Sequence, residues 1–262
     1  MKMITFLTDF GRKSSYVAQM KGVASSLSDA RLIDITHDVQ PHNIREAAFS
    51  LKNVVDYFPD GTVHVVVIDP GVGTDRKGLV ITTKSQILVG PDNGVLIPAA
   101  KHLGDFTVYD ITNTRFMLKK ISNTFHGRDI FTPVAAYITK NIKFKNIGSQ
   151  TKEFVDLEFP SPIIKEGKIY GEILYVDDFG NLITNIENGV AEKYFSYGKK
   201  IKVDLKDKTF FVSFERTYGK VNVYDLVLLK GSQGFLEVSV NQGSASADLG
   251  IKSGGQISFS II

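Results

Sequence analysis

The chain has 262 residues, a net charge of +3 and an apolar fraction of 43%. That is the composition of a packed globular protein of one large domain or two, without the basic excess that nucleic-acid binding calls for. It has no cysteine, which excludes disulfides and thiolate metal sites, and no apolar run nears the ~20 residues that a membrane-crossing helix needs.

The opening residues run into a strand without a small-residue cleavage site, so no signal peptide is expected and the expected compartment is the cytoplasm. In chain order, residues 3–7, 31–35 and 63–68 read as apolar strands, and 16–27 as an amphipathic helix softened by Gly22. Between the second and third strands, Ile44, Ala47, Ala48, Leu51, Val54, Val55 and Phe58 recur at helical spacing. Asn43 is placed to cap that helix, with Glu46 completing a capping box. Residues 129–139 read as a closing helix. Alternation of strand and helix predicts an α/β N-terminal domain over 1–150, its mainly parallel sheet flanked by helices. Residues 151–167 are polar, contain Pro160 and Pro162, and read as a linker. From 168 to 262 the pattern becomes short strands at 168–176, 201–205, 209–212, 227–229, 235–240 and 256–261, with a tight turn at Lys206-Asp207-Lys208. That predicts a smaller, all-β, barrel-like C-terminal domain.

Two blocks carry residues suited to chemistry: Ile68-Asp69-Pro70-Gly71-Val72-Gly73-Thr74-Asp75-Arg76 and Thr124-Phe125-His126-Gly127-Arg128-Asp129. Asp69 falls at the carboxyl end of a strand, where open α/β sheets bind ligands. Taken singly, each has a plainer role: Asp before Pro-Gly forms turns, His126 could open a helix, and Arg76 could lie on the surface. Arg128 and Asp129 read as an ion pair or cap. Asp9 ends the first strand; its two oxygens suit a ribose diol, and an N-cap for the first helix is the competing use. No His-x-x-x-His or similar cluster is present, so no metal site is expected. His37, His64 and His102 lack motif partners and read as structural.

With Leu7-Thr8-Asp9-Phe10-Gly11, Gly90-Pro91-Asp92-Asn93-Gly94, Asp178-Phe179-Gly180-Asn181-Leu182 and Asn241-Gln242-Gly243-Ser244-Ala245, these blocks make six motifs in order over nearly the whole chain. Together they resemble the S-adenosyl-L-methionine hydroxide adenosyltransferases, relatives of the fluorinating and chlorinating enzymes that use the same substrate. The resemblance implies hydrolysis of S-adenosyl-L-methionine to adenosine and L-methionine, with no cofactor. It implies that Asp69, Arg76 and His126 surround the attacking water and that Asp9 binds the ribose diol. Adenine and methionine contacts are implied for Phe179, Asn181, Asp177, Ser232, Gln242 and Ala245, and His42 is expected at the pocket wall. The family's Asp five residues after Asp9 is here Ser14, which brings no countercharge to the substrate's ammonium. The resemblance also implies a homotrimer with sites between subunits. A halide-using transferase and a non-catalytic sensor of S-adenosyl-L-methionine or adenosine are the alternatives. A carboxylate at Asp69 disfavours the first, and the acid–base trio disfavours the second.

Overall fold

The computed structural model describes residues 2–261. The chain forms two compact units, one ending at Glu158 and the other beginning at Phe159. The first contains β1 (Met3–Thr8), α1 (Tyr16–Leu27), β2 (Arg31–Thr36), α2 (Ile44–Val54), β3 (Val63–Val67), β4 (Gly78–Thr83), β5 (Ile87–Pro91), α3 (Ile97–His102), β6 (Phe106–Asp110), α4 (Thr132–Ile138) and β7 (Gln150–Thr151). These strands make one sheet in the order β2-β1-β3-β5-β4-β6-β7. The pairs among β2, β1, β3 and β5 are parallel, and the sheet continues antiparallel through β4, β6 and β7.

Every residue of β1 and β3 is buried, as expected of parallel strands covered on both faces. Ile4, Phe6, Val63, Val65 and Val67 pack on Met20 and Ala24 of α1 and on Val134, Ala135 and Ile138 of α4. The predicted cap of α2 forms: the Asn43 side chain accepts from the Glu46 N–H at 3.1 Å. The Glu46 carboxylate accepts from the Asn43 side-chain amide at 2.9 Å, but the Asn43 backbone N–H bonds the Gln40 carbonyl, so the reciprocal half of the expected capping box does not form. The closing helix begins with a π-helical turn over Gly127–Phe131 before α4. The sequence pattern passes over β4, β5 and β6. Gly78 opens the first and Gly90-Pro91 close the second, and glycine and proline at the ends of such short runs weaken a strand's signature.

The second unit holds β8 (Ile163–Lys165), β9 (Lys168–Val176), β10 (Leu182–Glu187), α5 (Asn188–Tyr194), β11 (Lys200–Leu205), β12 (Lys208–Phe214), β13 (Leu226–Lys230), β14 (Phe235–Val240), α6 (Ala245–Leu249) and β15 (Gln256–Ser260). Pairing of β9 with both β10 and β15 closes a seven-stranded barrel, and β8 hangs on β9 outside it. Ile169, Val203, Phe214, Leu236, Val238 and Phe259 are among the side chains that fill its interior. The β11–β12 hairpin turns on Lys206-Asp207, with Lys206 at φ +51°. Among the described residues, no helix is long and apolar enough to cross a membrane.

One polar network is buried in the first unit. Gln86 donates both amide hydrogens, to the carbonyls of Val55 (2.9 Å) and Phe58 (2.8 Å). Its oxygen must then accept from His64 Nε2, 3.0 Å away, which leaves His64 Nδ1 to accept from the Thr5 hydroxyl at 2.7 Å. His64 is therefore neutral, and burial pulls its pKa down to about 4. The folded pKa lies below the unfolded one, so stability is lost as pH falls from ~6.5 toward that value. The stability difference between the parent and His64→Leu should shrink by about 2 kcal/mol from pH 7.5 to pH 5. Denaturant melts at both pH values measure it; an unchanged difference would mean that His64 is not held neutral.

Candidate functional site

The chain leaves β3 through Ile68 and folds back at once. Val72 N–H bonds the Asp69 carbonyl at 3.2 Å, and the backbone N–H and hydroxyl of Thr74 both reach the Gly71 carbonyl, at 3.2 and 2.7 Å. This returns Arg76 to Asp69. Its Nε donates to Asp69 Oδ1 at 3.0 Å and its Nη2 to Oδ2, a bidentate pair. Nη2 also donates to His126 Nδ1 at 3.0 Å, and Nη1 to the Lys77 carbonyl at 2.9 Å. Phe131 lies beneath the guanidinium, 5.3 Å from ring centre to Cζ.

His126 reaches this group because the 69–76 turn touches the segment before it. Gly73 sits at φ +80°, and a Cβ there would lie 2.2 Å from the Asn123 carbonyl oxygen. Only glycine permits that approach. The Asp69 and Arg76 side chains are almost wholly buried, 5% and 9% exposed. Burial pushes the Asp69 carboxyl above its usual value, against the opposing pull of Arg76. Burial, and then the Arg76 charge, pull the His126 imidazole down, so it is neutral at physiological pH. With Nδ1 accepting from Arg76, its proton sits on Nε2.

Asp69 and His126 line a cavity of about 320 Å³ together with Asp9, Phe10, Tyr16, Pro41, His42, Val67, Val72, Thr124, Phe125 and Gly127. That volume suits a small ligand. Asp9 Oδ2 accepts from the His42 N–H at 2.8 Å, so His42, at φ +66°, holds the carboxylate by its backbone. Asp9 does not cap α1; Ser15 occupies that position. The Ser14 hydroxyl donates to the Phe10 carbonyl at 3.0 Å, and Ser14 is not among the cavity-lining residues. Phe10, Tyr16 and Phe125 form an edge-to-face cluster with centroids 5.1–5.6 Å apart. Arg128 pairs with the buried Asp129, whose Oδ2 also accepts from the Ser122 N–H at 2.8 Å.

The second unit carries its own concavity, about 660 Å³, lined by Phe179, Asn181, Tyr218, Val240, Asn241, Gln242, Gly243 and Ser244. Asp177 builds its rim. Oδ1 accepts from the N–H groups of Phe179 (3.0 Å) and Asn181 (2.9 Å), and Oδ2 from the Asn181 amide (2.9 Å). Gly180, at φ +81°, abuts Ser244, where an added Cβ would fall 1.9 Å from the hydroxyl oxygen. Its carbonyl accepts from the Ser246 N–H at 2.8 Å, so the two motif loops lie side by side. Ala245 is the buried first residue of α6, capped by Ser244. Ser232 stands apart, in the β13–β14 turn at the far end of β14 from Gln242. Phe10, Phe125 and Tyr218 are lining residues that the sequence did not point out by role. The first two lie inside motifs, whereas Tyr218 has no motif around it. Its hydroxyl donates to the buried Glu237 at 2.7 Å, and burial pushes its pKa up. Among the described residues, no group of three or more His, Asp or Glu side chains is placed to hold a metal ion.

Contact between the two loops of the first unit depends on Gly73. Gly73→Ala should lower the melting temperature by roughly 5 °C or more, from strained backbone and the clash together. Gly61→Ala, also at positive φ (+81°) but with nothing within 4 Å of the added methyl, should lose clearly less. Equal losses in thermal denaturation would contradict the contact.

The S-adenosyl-L-methionine hydroxide adenosyltransferase family model matches this chain in both parts, the N-terminal domain over residues 4–148 and the C-terminal domain over 171–258. The (R)-S-adenosyl-L-methionine hydrolase of Methanocaldococcus jannaschii is 36% identical over 260 residues, covering 95% of this chain and 92% of that protein. The Salinispora arenicola hydrolase of the same name is 34% identical over 97% of this chain and 96% of its own. A fluorinase from Actinopolyspora mzabensis is more distant, 24% identical over 96% and 95%. Among solved structures, a conserved protein from Thermotoga maritima superposes with a TM-score of 0.94 at 38% identity, covering 98% of this chain and all of that one. Two matched domains and near-full-length relatives above 30% identity agree: the chain belongs to the S-adenosyl-L-methionine hydroxide adenosyltransferase family.

Proposed function

We propose that the protein hydrolyses S-adenosyl-L-methionine to adenosine and L-methionine. Water attacks C5′ of the ribose as the C5′–S bond breaks. The bonding pair moves to sulfur and neutralises the sulfonium, so methionine leaves without needing a proton. The site must therefore orient a water, take its proton and exclude bulk solvent. The observation that carries this reading is the Asp69–Arg76–His126 cluster, of which Asp69 and His126 line a cavity that also holds Asp9, with Arg76 behind them.

The hydrogen bonds apportion the roles. His126 Nδ1 is taken by Arg76 and Nε2 carries the proton, so a neutral His126 orients the water and the base is Asp69. Arg76 fixes both, and the carboxyl's raised pKa offsets the weakening that an adjacent cation imposes on a base. Asp9 takes the ribose diol, with His42 setting its geometry. Asn181, Phe179 and Gln242 receive adenine, with Asp177 ordering their rim. Ala245 is wholly buried and Ser232 stands at the far end of β14, so neither is assigned a substrate contact. Ser14, turned onto the Phe10 carbonyl, adds no charge at the methionine end. A halide nucleophile fits worse, because the Asp69 carboxylate repels it.

Incubation with S-adenosyl-L-methionine, with and without chloride, should yield adenosine and no 5′-chloro-5′-deoxyadenosine. Asp69→Asn should lower kcat by ~10²–10⁴-fold with little change in KM. Tight binding with adenosine at the blank rate would reassign the protein as a sensor.

The residues proposed for ribose and for adenine lie on different units. Phe179 and Tyr224 near the second concavity are 77% and 74% exposed, an apolar surface suited to burial against another chain. We infer a cyclic homotrimer in which the first unit of one subunit and the second unit of the next share a substrate. Mixed under subunit exchange, Asp69→Asn and Asn181→Ala chains should regain activity above either alone. No gain despite proven exchange, or an active monomer, would refute sharing.

A further inference from the structure

We propose that Asn93 is a positioning residue for Asp69, and that the turn containing it clamps both ends of the 69–76 loop. The proposal rests on the hydrolase reading above. Ile68 is fully buried and lies past the end of the strand pairing, which stops at Val67 against β1 and at Val65 against β5. Its carbonyl therefore takes a side-chain partner: Asn93 Nδ2 donates to it at 2.7 Å. That oxygen belongs to the planar peptide unit that contains the Asp69 nitrogen and Cα. Holding it fixes the plane from which the Asp69 side chain departs. The Asn93 amide is itself fixed, because its oxygen accepts from the Val95 N–H at 3.2 Å.

The same turn holds the other end of the loop. The Asp92 N–H donates to the Lys77 carbonyl at 2.9 Å, the oxygen that also accepts from Arg76 Nη1 at 2.9 Å. One short segment thus sets the peptide before Asp69 and an anchor of the Arg76 guanidinium. This gives the Gly90-Pro91-Asp92-Asn93-Gly94 motif a role that no substrate contact supplies.

The test is a double-variant cycle on adenosine release, with melting temperatures alongside. Asn93→Ala should lower kcat by ~10-fold or more, since small misplacements of a reacting group are costly, and leave KM within about 3-fold. Asn93→Ser keeps an acceptor for Val95 but cannot reach Ile68; it should behave alike, and it decides the matter if the alanine variant does not fold. Added to Asp69→Asn, either change should cost less than about 2-fold more, because its target is already gone. Unchanged kcat in a folded Asn93 variant, or losses that multiply fully in the double variant, would overturn the assignment. A parent enzyme that releases no adenosine would instead sink the hydrolase reading, and this proposal with it.

Discussion

The Arg76 guanidinium, held in a buried fork against Asp69 and tied to His126, is the interaction on which the first unit's site depends. Burying such a pair is expensive unless the geometry is good and the remaining donors are satisfied. Here Arg76 makes four hydrogen bonds and rests on the Phe131 ring. Those demands explain the surrounding backbone. The loop must turn back within seven residues, Gly73 must admit the Asn123 carbonyl, and the π-helical turn after His126 must present its side chain beside the guanidinium. The outcome is a carboxylate and an imidazole of fixed protonation at one cavity wall.

The second unit uses a carboxylate differently. Asp177 is spent on its own loop, accepting three bonds from Phe179 and Asn181, and it orders the rim instead of meeting a cation. Gly180 then brings that loop against Ser244, as Gly73 does with Asn123. In each unit two sequence-distant motifs become neighbours at a glycine that leaves no room for a side chain. The motifs read as separate blocks along the chain and as paired loops in space.

Much of this was legible in the residues. Helical spacing and the Asn43 cap marked α2, and alternating or apolar runs marked β9 and β11 to β15, whereas the barrel strand β10 went unmarked. Short strands that begin or end on glycine or proline, such as β4 and β5, were hidden because their burial comes from neighbours that the sequence does not name. The trio could be nominated from its motifs, yet the roles within it could not. Which nitrogen of His126 carries the proton depends on a hydrogen bond from a residue 50 positions away. Asn93 was visible only as part of a motif, since its partner is a backbone carbonyl, and any residue has one.

In the proposed reaction, Asp69 and His126 hold the water that becomes the 5′-oxygen of adenosine. The most direct measurement is a crystal structure of the wild-type protein with adenosine bound, because the product's 5′-hydroxyl oxygen marks where that water ends. This oxygen is expected within hydrogen-bonding distance, ~2.6–3.2 Å, of both the Asp69 carboxylate and His126 Nε2, with the ribose diol on Asp9. Adenosine bound with its 5′-oxygen remote from Asp69, or with the diol turned away from Asp9, would contradict that reading.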